Sequence, residues 1–233
     1  MLTLSFDTAA KVATVAVCDG ERILAVYSIN NGLTQSELIL PMAENILKSL
    51  GLSFSDVELL ATSVGPGSFT GVRIGVSLVK GIAFGHNTPI VGVSTIEALA
   101  YNLKGLSGMI IPVMDARRGE VYTATFVGKD GSLTRMNEDR AIPLTTLAEE
   151  LRDTDAPIYL VGDGYAVAKK ALSSLGIRTE DTPPILCEEN AASVAAVAAI
   201  KYSRGETIDD LSLSPLYLRL PQAERERLER EGK

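Results

Sequence analysis

The chain opens with three short segments in which apolar and polar residues alternate, a pattern typical of strands with one buried face. These segments are Leu2–Phe6, Val12–Cys18 and Ile23–Ile29, and only short polar breaks separate them. The second break is Asp19-Gly20, a strong signal for a tight turn between antiparallel strands. We therefore predict that the chain begins with an antiparallel three-stranded meander.

A helical period replaces this alternation after the meander. Apolar residues recur three and four positions apart in Thr34–Leu50, which predicts a helix closed by Gly51. Glu58–Val64 is predicted to be a buried strand, and Thr70–Phe84 a second helix that ends at Gly85. A short strand and a third helix complete this half of the chain: Ile90–Val93 and, capped by Ser94, Thr95 to about Leu103.

The second half repeats this order of elements loosely. Its predicted strands and helices are Met109–Met114, Glu120–Phe126, Ser132–Met136, the helix Thr145–Arg152, the strand Ile158–Val161, and the helices Tyr165–Leu175 and Ala191–Tyr202. The repetition predicts an α/β protein of two related lobes, residues 1–104 and residues 105–233, the second ending in the charged tail Glu224–Glu231. Lobes of this order, each a mixed sheet with flanking helices, occur in the superfold of actin-like proteins, sugar kinases and heat-shock ATPases. Element order alone fixes no function.

Composition limits the kinds of partner. The 233 residues carry a net charge of −7, and Lys and Arg form no cluster. Because phosphate neutralisation supplies much of the affinity for nucleic acid, the chain alone should bind RNA weakly, and another subunit should carry that contact. No apolar run reaches the roughly 18–20 residues of a membrane span, and the start is unlike a secretion signal. We therefore expect a cytoplasmic protein in which Cys18 and Cys187 are buried thiols.

The most informative motif is the glycine-rich stretch Gly65–Gly75. Gly65 and Gly67 allow the chain to turn sharply after the strand. Ser68 or Thr70 can cap the helix that follows. A helix N-terminus presented in this way suits an anion, but no lysine precedes either residue, so this is not a Walker A loop. The residues alone favour a structural turn over a phosphate site, and both interpretations stay open.

The helix after this loop is unusually apolar. Between residues 71 and 84 only Arg73, Ser77 and Lys80 are strongly polar, so most of its sides must be covered. It is either a core helix between the lobes or, together with Thr34–Leu50, part of a surface for another protein. The residues alone do not decide between these two interpretations.

Glycine spacing also indicates close packing on this helix. Two glycine pairs, each with four-residue spacing, would let another helix approach the backbone closely: Gly71 with Gly75, and Gly81 with Gly85. If the two helices do form a partner surface, its candidate residues are Leu38, Met42, Ile46, Gly71, Arg73, Gly75, Leu78 and Ile82.

Two aspartates are candidates for chemistry. Asp7, followed by Thr8, and Asp115 fall at the ends of the first strand of each lobe, where aspartates of ATP-using members of the superfold place Mg²⁺ and phosphate. They are candidates for the remnant of a nucleotide site, and the alternative is an aspartate that caps a turn. His86 is the only histidine, which excludes a two-His metal motif and predicts a capping or solvent-facing side chain. Neither a catalytic residue nor a metal site is predicted.

Several of these motifs resemble those of a known family. The stretches Gly65–Gly75 and Asp115–Tyr122 are similar to the signature of the TsaB family, the partner proteins of bacterial tRNA threonylcarbamoyladenosine synthesis. Its signature loop would be Gly65, Gly67, Ser68, Phe69 and Thr70. Weaker matches extend along nearly the whole chain: Phe6–Ala9, Ser36-Glu37-Leu38 with Pro41, Gly162-Asp163-Gly164 and Ser214–Arg219. One departure is Gln35, where the family often has histidine.

The resemblance implies a non-catalytic subunit. Such proteins pair, through helices of the N-terminal lobe, with a catalytic paralogue that holds a metal and transfers threonylcarbamoyl to adenosine 37 of tRNA. They form homodimers when alone, join a small ATPase in a larger complex, and meet tRNA only through that complex. No cofactor is implied beyond weak ATP or ADP binding. The alternative function is an actin-like-fold kinase or phosphotransferase that acts on its own.

Overall fold

Two mixed β-sheets with helices on their faces form the computed structural model, which describes residues 1–32 and 35–219. The first sheet contains β1 (Leu2–Asp7), β2 (Ala13–Asp19), β3 (Arg22–Ile29), β4 (Leu59–Gly65) and β5 (Ile90–Ser94). Its order is β3-β2-β1-β4-β5. The first three strands run antiparallel, which confirms the predicted meander, and β4 and β5 run parallel to β1.

The second sheet repeats this layout. It contains β6 (Gly108–Asp115), β7 (Glu120–Thr123), β8 (Phe126–Lys129), β9 (Ser132–Arg135), β10 (Arg140–Pro143) and β11 (Ile158–Val161). β7 and β8 pair antiparallel with β6 in one continuous register, in which Gly108 lies opposite Gly128 and Val113 opposite Thr123. β11 runs parallel to β6, as β4 runs parallel to β1. The duplication of strand order is therefore confirmed for the meander and the first parallel strand, whereas beyond β11 the described residues offer only a single bridge, Tyr159 to Glu180, in the place of β5.

The second meander is less regular than the sequence predicted. The predicted strand Glu120–Phe126 is interrupted, because the Thr125 amide leaves the ladder and donates to Asn137 Oδ1 over 2.9 Å. The strand resumes at Phe126 as β8. The edge strand β10, which pairs with β7, was not predicted, since four residues ending in Pro143 show little alternation.

Helices cover the faces of both sheets. Their bounds are α1 (Gln35–Ser49), α2 (Phe69–His86), α3 (Thr95–Tyr101), α4 (Leu144–Leu151), α5 (Tyr165–Ser174), α6 (Pro184–Cys187) and α7 (Ala191–Ser203), with a 3₁₀ turn at Phe54–Asp56. α1 and α2 pack on one face of the first sheet, and α4 and α5 pack on the second sheet. Among the described residues no helix is long and apolar enough to cross a membrane.

Helix α7 follows the second sheet in the sequence but packs on the first sheet. It packs on the other face of the first sheet, where Ser5 Oγ donates to the carbonyl oxygen of Ala191 over 2.7 Å. Val194 and Val197 meet Leu59 and Val91 there in a buried apolar cluster. The division of the chain at residues 104/105 stays a prediction, and the charged tail at Glu224–Glu231 lies outside the described residues.

Helix ends follow local chemistry. Ser68 caps α2 by accepting from the Gly71 amide over 3.2 Å, so of the two predicted candidates, Ser68 and Thr70, the cap is Ser68. Ser94 caps α3 through the Glu97 amide, as predicted. The predicted end of α2 at Gly85 is wrong: the helix continues to His86, and Asn87 closes it with a left-handed φ of 55°. Asparagine tolerates that conformation better than most residues. His86 is exposed, as expected.

Both cysteines are free thiols, as expected. Cys18 is buried, which raises the pKa of its thiol to about 11. Cys187 is only half-buried, so the expectation of burial is correct for Cys18 and too strong for Cys187.

Candidate functional site

A polar cleft lies between the two sheets. Its volume is about 430 Å³, and its walls come from the turn after β1, the loop before α2, the turn after β6 and the C-terminal end of the described chain. Charged side chains of both signs line it, among them Lys11, Asp115, Arg117, Asp163 and Arg219.

The turn after β1 is closed upon itself. Asp7 is fully buried, and its Oδ1 accepts from the Ala9 amide over 2.9 Å and from Ser63 Oγ over 2.7 Å. The Thr8 hydroxyl is also buried and donates to the carbonyl oxygen of Gly71 over 2.7 Å. Neither side chain lines the cleft. Asp7 thus has the geometry of the turn-capping alternative.

Burial dominates the electrostatics of this turn. Desolvation raises the pKa of Asp7 to about 6, although its two hydrogen bonds act in the opposite direction. Its second oxygen, Oδ2, is buried without a hydrogen-bond partner in the described part of the chain. Burial also raises the pKa of Glu189, and the negative charge of Asp7 adds to that effect. An ionised Asp7 is therefore costly to the folded protein.

Asp115 occupies the matching place in the second lobe but is exposed. It repeats the turn geometry, since its Oδ1 accepts from the Arg117 amide over 2.7 Å. Its own amide donates to Asp163 Oδ1 over 3.1 Å, and burial raises the pKa of that carboxyl. Asp115 lines the cleft, so the structure does not bring Asp7, Thr8 and Asp115 together on one open surface.

The segment Leu213–Arg219, which we call the strap, closes one side of the cleft. The Leu216 amide donates to the Val64 carbonyl oxygen over 2.7 Å. At its end Arg219 donates to the Ala116 carbonyl oxygen over 3.0 Å and forms an ion pair with Glu120. The strap therefore joins the first sheet to the second. The motif Ser214–Arg219 was among the weaker family matches in the sequence, but the sequence did not indicate its structural role.

The strap also explains the first glycine of the signature loop. Gly65 has a φ of +109°, a conformation that disfavours other residues. A Cβ there would lie 2.5 Å from the carbonyl oxygen of Leu216. The loop thus serves as a structural turn against the strap, with Gly67 half-buried beyond it and Ser68, Phe69 and Thr70 exposed at the start of α2.

A second concave surface lies between α1 and α2. This groove, about 540 Å³ in volume, is mostly apolar, and among the described residues Arg73 is the one charged residue that lines it. Leu40 and Phe69 are 39% and 36% exposed, respectively. The Arg73 guanidinium lies 5.2 Å from the centre of the Phe69 ring. The groove is lined by Ser36, Ile39, Leu40, Phe69, Thr70, Arg73, Ile74, Ser77 and Leu78.

The structure corrects most of the candidate partner-interface residues. Only Leu38, Arg73 and Leu78 retain exposed surface, and the last two line the groove. The other five are buried inside the chain and cannot offer a free contact surface: Met42, Ile46, Gly71, Gly75 and Ile82.

The groove residues Leu40 and Ile74 were not predicted. The main apolar stripe of α1, with Ile39, Met42 and Ala43, faces the sheet and forms part of the core. Leu40 is an apolar residue outside that stripe, and this offset is the signal that could have identified it. In α2 the same rule separates half-buried Ile74 from the buried stripe of the helix.

Fold and cleft together define a class of protein. Two lobes of matching strand order around a central cleft are the architecture of the actin-like, sugar-kinase and heat-shock ATPase superfold. The ROK hexokinase of Thermus thermophilus, 13% identical, superposes with a TM-score of 0.50 over 88% of this chain and its own whole length. The crystal structure of a Pseudomonas aeruginosa protein described as similar to peptidase YEAZ superposes better, with a TM-score of 0.76. It is 25% identical and covers 94% of this chain and 99% of its own.

Sequence comparisons give the family. The family model "TsaD: tRNA N6-adenosine threonylcarbamoyltransferase" matches residues 34–226. The "tRNA threonylcarbamoyladenosine biosynthesis protein TsaB" of Bacillus subtilis (strain 168) is 30% identical over 224 residues, 96% of each chain. The chain belongs to the family that this model describes and, within it, to the TsaB proteins. The resemblance found in the sequence motifs is therefore confirmed.

Proposed function

We propose that this chain takes part in tRNA threonylcarbamoyladenosine biosynthesis as a non-catalytic subunit. In this role it binds and supports a catalytic threonylcarbamoyltransferase of the same fold. The names of its relatives support the process, and the groove between α1 and α2 is the observation that supports the binding role. An apolar groove open to water is typical of a surface that another protein covers.

The chemistry of the groove indicates what the partner should present. Exposed apolar side chains such as Leu40 and Phe69 gain roughly 25 cal/mol for each Å² of apolar surface that a partner removes from water. Within the described ranges Arg73 forms no ion pair, so a carboxylate on the partner would complement it. A second copy of this chain can use the same groove when the catalytic partner is absent. The two complexes would then compete by mass action.

A supporting role agrees with the residues of the cleft. Asp7 and Thr8 are engaged in internal hydrogen bonds, so we propose that ATP or ADP binds this subunit weakly at most. Among the described residues no group of three His, Cys, Asp or Glu side chains could hold a metal ion. These features give little support to the alternative of a kinase or phosphotransferase that acts on its own.

The route to tRNA follows from charge, and the small ATPase of the complex is the partner that the family resemblance implies. With a net charge of −7, the chain should reach tRNA only through the complex, which also contains a small ATPase. We place this assembly in the cytoplasm. A mobility-shift assay of the chain alone with tRNA at physiological salt should show no submicromolar binding.

The groove is tested by the substitution Leu40→Glu. Leu40 is 39% exposed, and a glutamate there stays solvated in the monomer but loses water at an interface. Because desolvating a charge at an interface costs several kcal/mol, and a carboxylate in the groove would repel the one that we expect the partner to bring to Arg73, we expect binding to the catalytic partner to weaken at least tenfold, measured by sedimentation. The matched control is Val167→Glu on α5, 56% exposed and outside the groove, which should bind like the wild type.

The same variants should be compared in a reconstituted tRNA modification reaction. Product formation should depend on the wild-type chain and fall with Leu40→Glu at limiting concentration. Circular dichroism verifies that each variant is folded. A folded Leu40→Glu protein with wild-type affinity would place the partner elsewhere on the molecule.

A further inference from the structure

We infer that Tyr217 of the strap is a positioning residue for the groove, because it fixes Phe69, a side chain that lines both the groove and the cleft. The inference rests on the proposed function of the groove as the partner site. It makes the strap a component of the partner surface, although the strap itself lies in the cleft on the other side of Phe69.

The contacts of Phe69 carry this inference. The rings of Phe69 and Tyr217 are stacked, with centroids 4.7 Å apart and planes inclined by 24°. The guanidinium of Arg73, one turn further along α2, lies 5.2 Å from the centre of the Phe69 ring. Phe69 is thus held between a groove residue of its own helix and a residue of the strap.

Fixing this ring matters because Phe69 is the first residue of α2 and is 36% exposed. An exposed aromatic side chain at a helix start has more than one rotamer available in the free protein. A side chain that is already fixed in its bound conformation loses less entropy when a partner binds. Tyr217 therefore pre-organises one wall of the groove.

The strap does not depend on Tyr217 for its own position. Leu213 is 1% exposed within the main core, and the Leu216 amide is bonded to Val64. Arg219 is anchored to Ala116 and Glu120 on the second sheet. Tyr217 itself is 44% exposed. Replacing its ring should leave the strap in place, which makes the positioning role separable from the stability of the fold.

The same geometry links the two concave surfaces. A ligand that displaced the strap from the cleft would remove Tyr217 from Phe69 and so alter the groove at a distance. The partner, in turn, would favour the arrangement in which the strap stays seated.

The test is a double-mutant cycle on binding to the catalytic partner, with full-length chains. Ordering one freed side chain at an interface costs about 0.5–1.5 kcal/mol, so Tyr217→Ser should weaken binding roughly three- to tenfold. Tyr217→Phe keeps the ring and should restore wild-type affinity. In a Phe69→Leu background, Tyr217→Ser should change affinity by less than about twofold, since the ring that it positions is absent.

The outcomes separate this inference from the proposed function. If Tyr217→Ser binds like the wild type while Leu40→Glu is impaired, the inference is wrong and the groove remains the partner site. If Leu40→Glu also binds normally, the groove is not the partner site, and the inference that rests on it is wrong as well. Equal losses from Tyr217→Ser in both backgrounds would show that Phe69 is not the mediator and would overturn the inference. Should Tyr217→Ser not fold, Tyr217→Leu takes its place with the same expectations.

Discussion

Helix α2 contains two glycine pairs with identical spacing and opposite surroundings. Gly71 and Gly75 face inward, where a Cβ on Gly75 would lie 2.6 Å from Thr8 Oγ1 and one on Gly71 would overlap the Thr8 carbonyl oxygen. Gly81 and Gly85 face outward, and a Cβ on either would meet no atom within 4 Å. Four-residue spacing therefore permits close packing without saying what packs there.

The inward pair serves the chain itself. It lets α2 lie directly against the turn after β1, and the Thr8 hydroxyl bonds to the Gly71 carbonyl oxygen at that contact. The outward pair lies next to Phe84, which is 82% exposed. One helix thus has an intramolecular contact at its start and an open surface towards its end.

The largest effect should come from Gly75→Leu, which disrupts the close contact of the inward glycine pair. The new side chain would collide with the buried side chains of Thr8 and Thr62, whose hydroxyl oxygens would lie 2.6 and 3.0 Å from its Cβ, so α2 would have to move. We expect a loss of about 4 kcal/mol or more in the free energy of unfolding, near the limit for point substitutions. The matched control is Gly81→Leu. Denaturant unfolding that ranks the two variants equally would contradict the difference between the pairs.

The next largest effect concerns the carboxyl before Thr8. Because burial raises the pKa of Asp7 from 3.8 to about 6, the folded chain binds this proton more tightly than the unfolded chain. The contribution is fully present below pH 3.8 and is lost as the pH rises through about 6, which amounts to about 3 kcal/mol. Asp7→Asn should reduce the fall in unfolding free energy between pH 3 and pH 7 by that amount.

Two comparisons sharpen this measurement. Asp115→Asn changes the exposed aspartate of the second lobe and should alter the same pH profile by less than about 1 kcal/mol. Burial also raises the pKa of Glu189, so part of the pH dependence of the unfolding free energy should remain in Asp7→Asn. A profile for Asp7→Asn that coincides with the wild type would mean that Asp7 is not desolvated as the structure has it.

The smallest effect should have the opposite sign. Gly81→Ala and Gly85→Ala place a methyl group in open space on a helix, so each should stabilise the chain by about 0.5–1 kcal/mol. Gly71→Ala, in contrast, should destabilise it. Thermal unfolding measures all three. If either outward alanine weakens binding to the catalytic partner, that partner approaches α2 more closely than the groove alone requires.

Much of the fold could be predicted from periodicity, because both meanders and most helices have strong local signals. The caps Ser68 and Ser94 and the strand Ile158–Val161 were predicted correctly. The errors lie at positions whose structure depends on a hydrogen-bond or strand partner elsewhere in the sequence. The break at Thr125 depends on Asn137, twelve positions away, and β10 exists because β7 is there to pair with it.

The candidate site was harder to predict for a geometric reason. An apolar helix face indicates that the face is covered. Covering by a sheet of the same chain and covering by a partner protein require the same apolar positions, so the sequence does not distinguish them. Met42 and Ile46 are therefore chemically suitable for an interface and yet lie in the core. The strap was beyond local reasoning as well, because its contact with Val64 joins residues far apart in the sequence.

The position of α7 has a consequence for how the chain is made. The first sheet is complete after β5, but much of the face that carries Leu59 and Val91 is covered by residues 191–203 of α7, which pack there beside Ala98 of α3. During synthesis this part of the face stays exposed or loosely shielded until residues 191–203 have left the ribosome. The contacts that seal it have high sequence separation, which slows folding. The first sheet is therefore completed by a helix that follows the whole second sheet in the sequence.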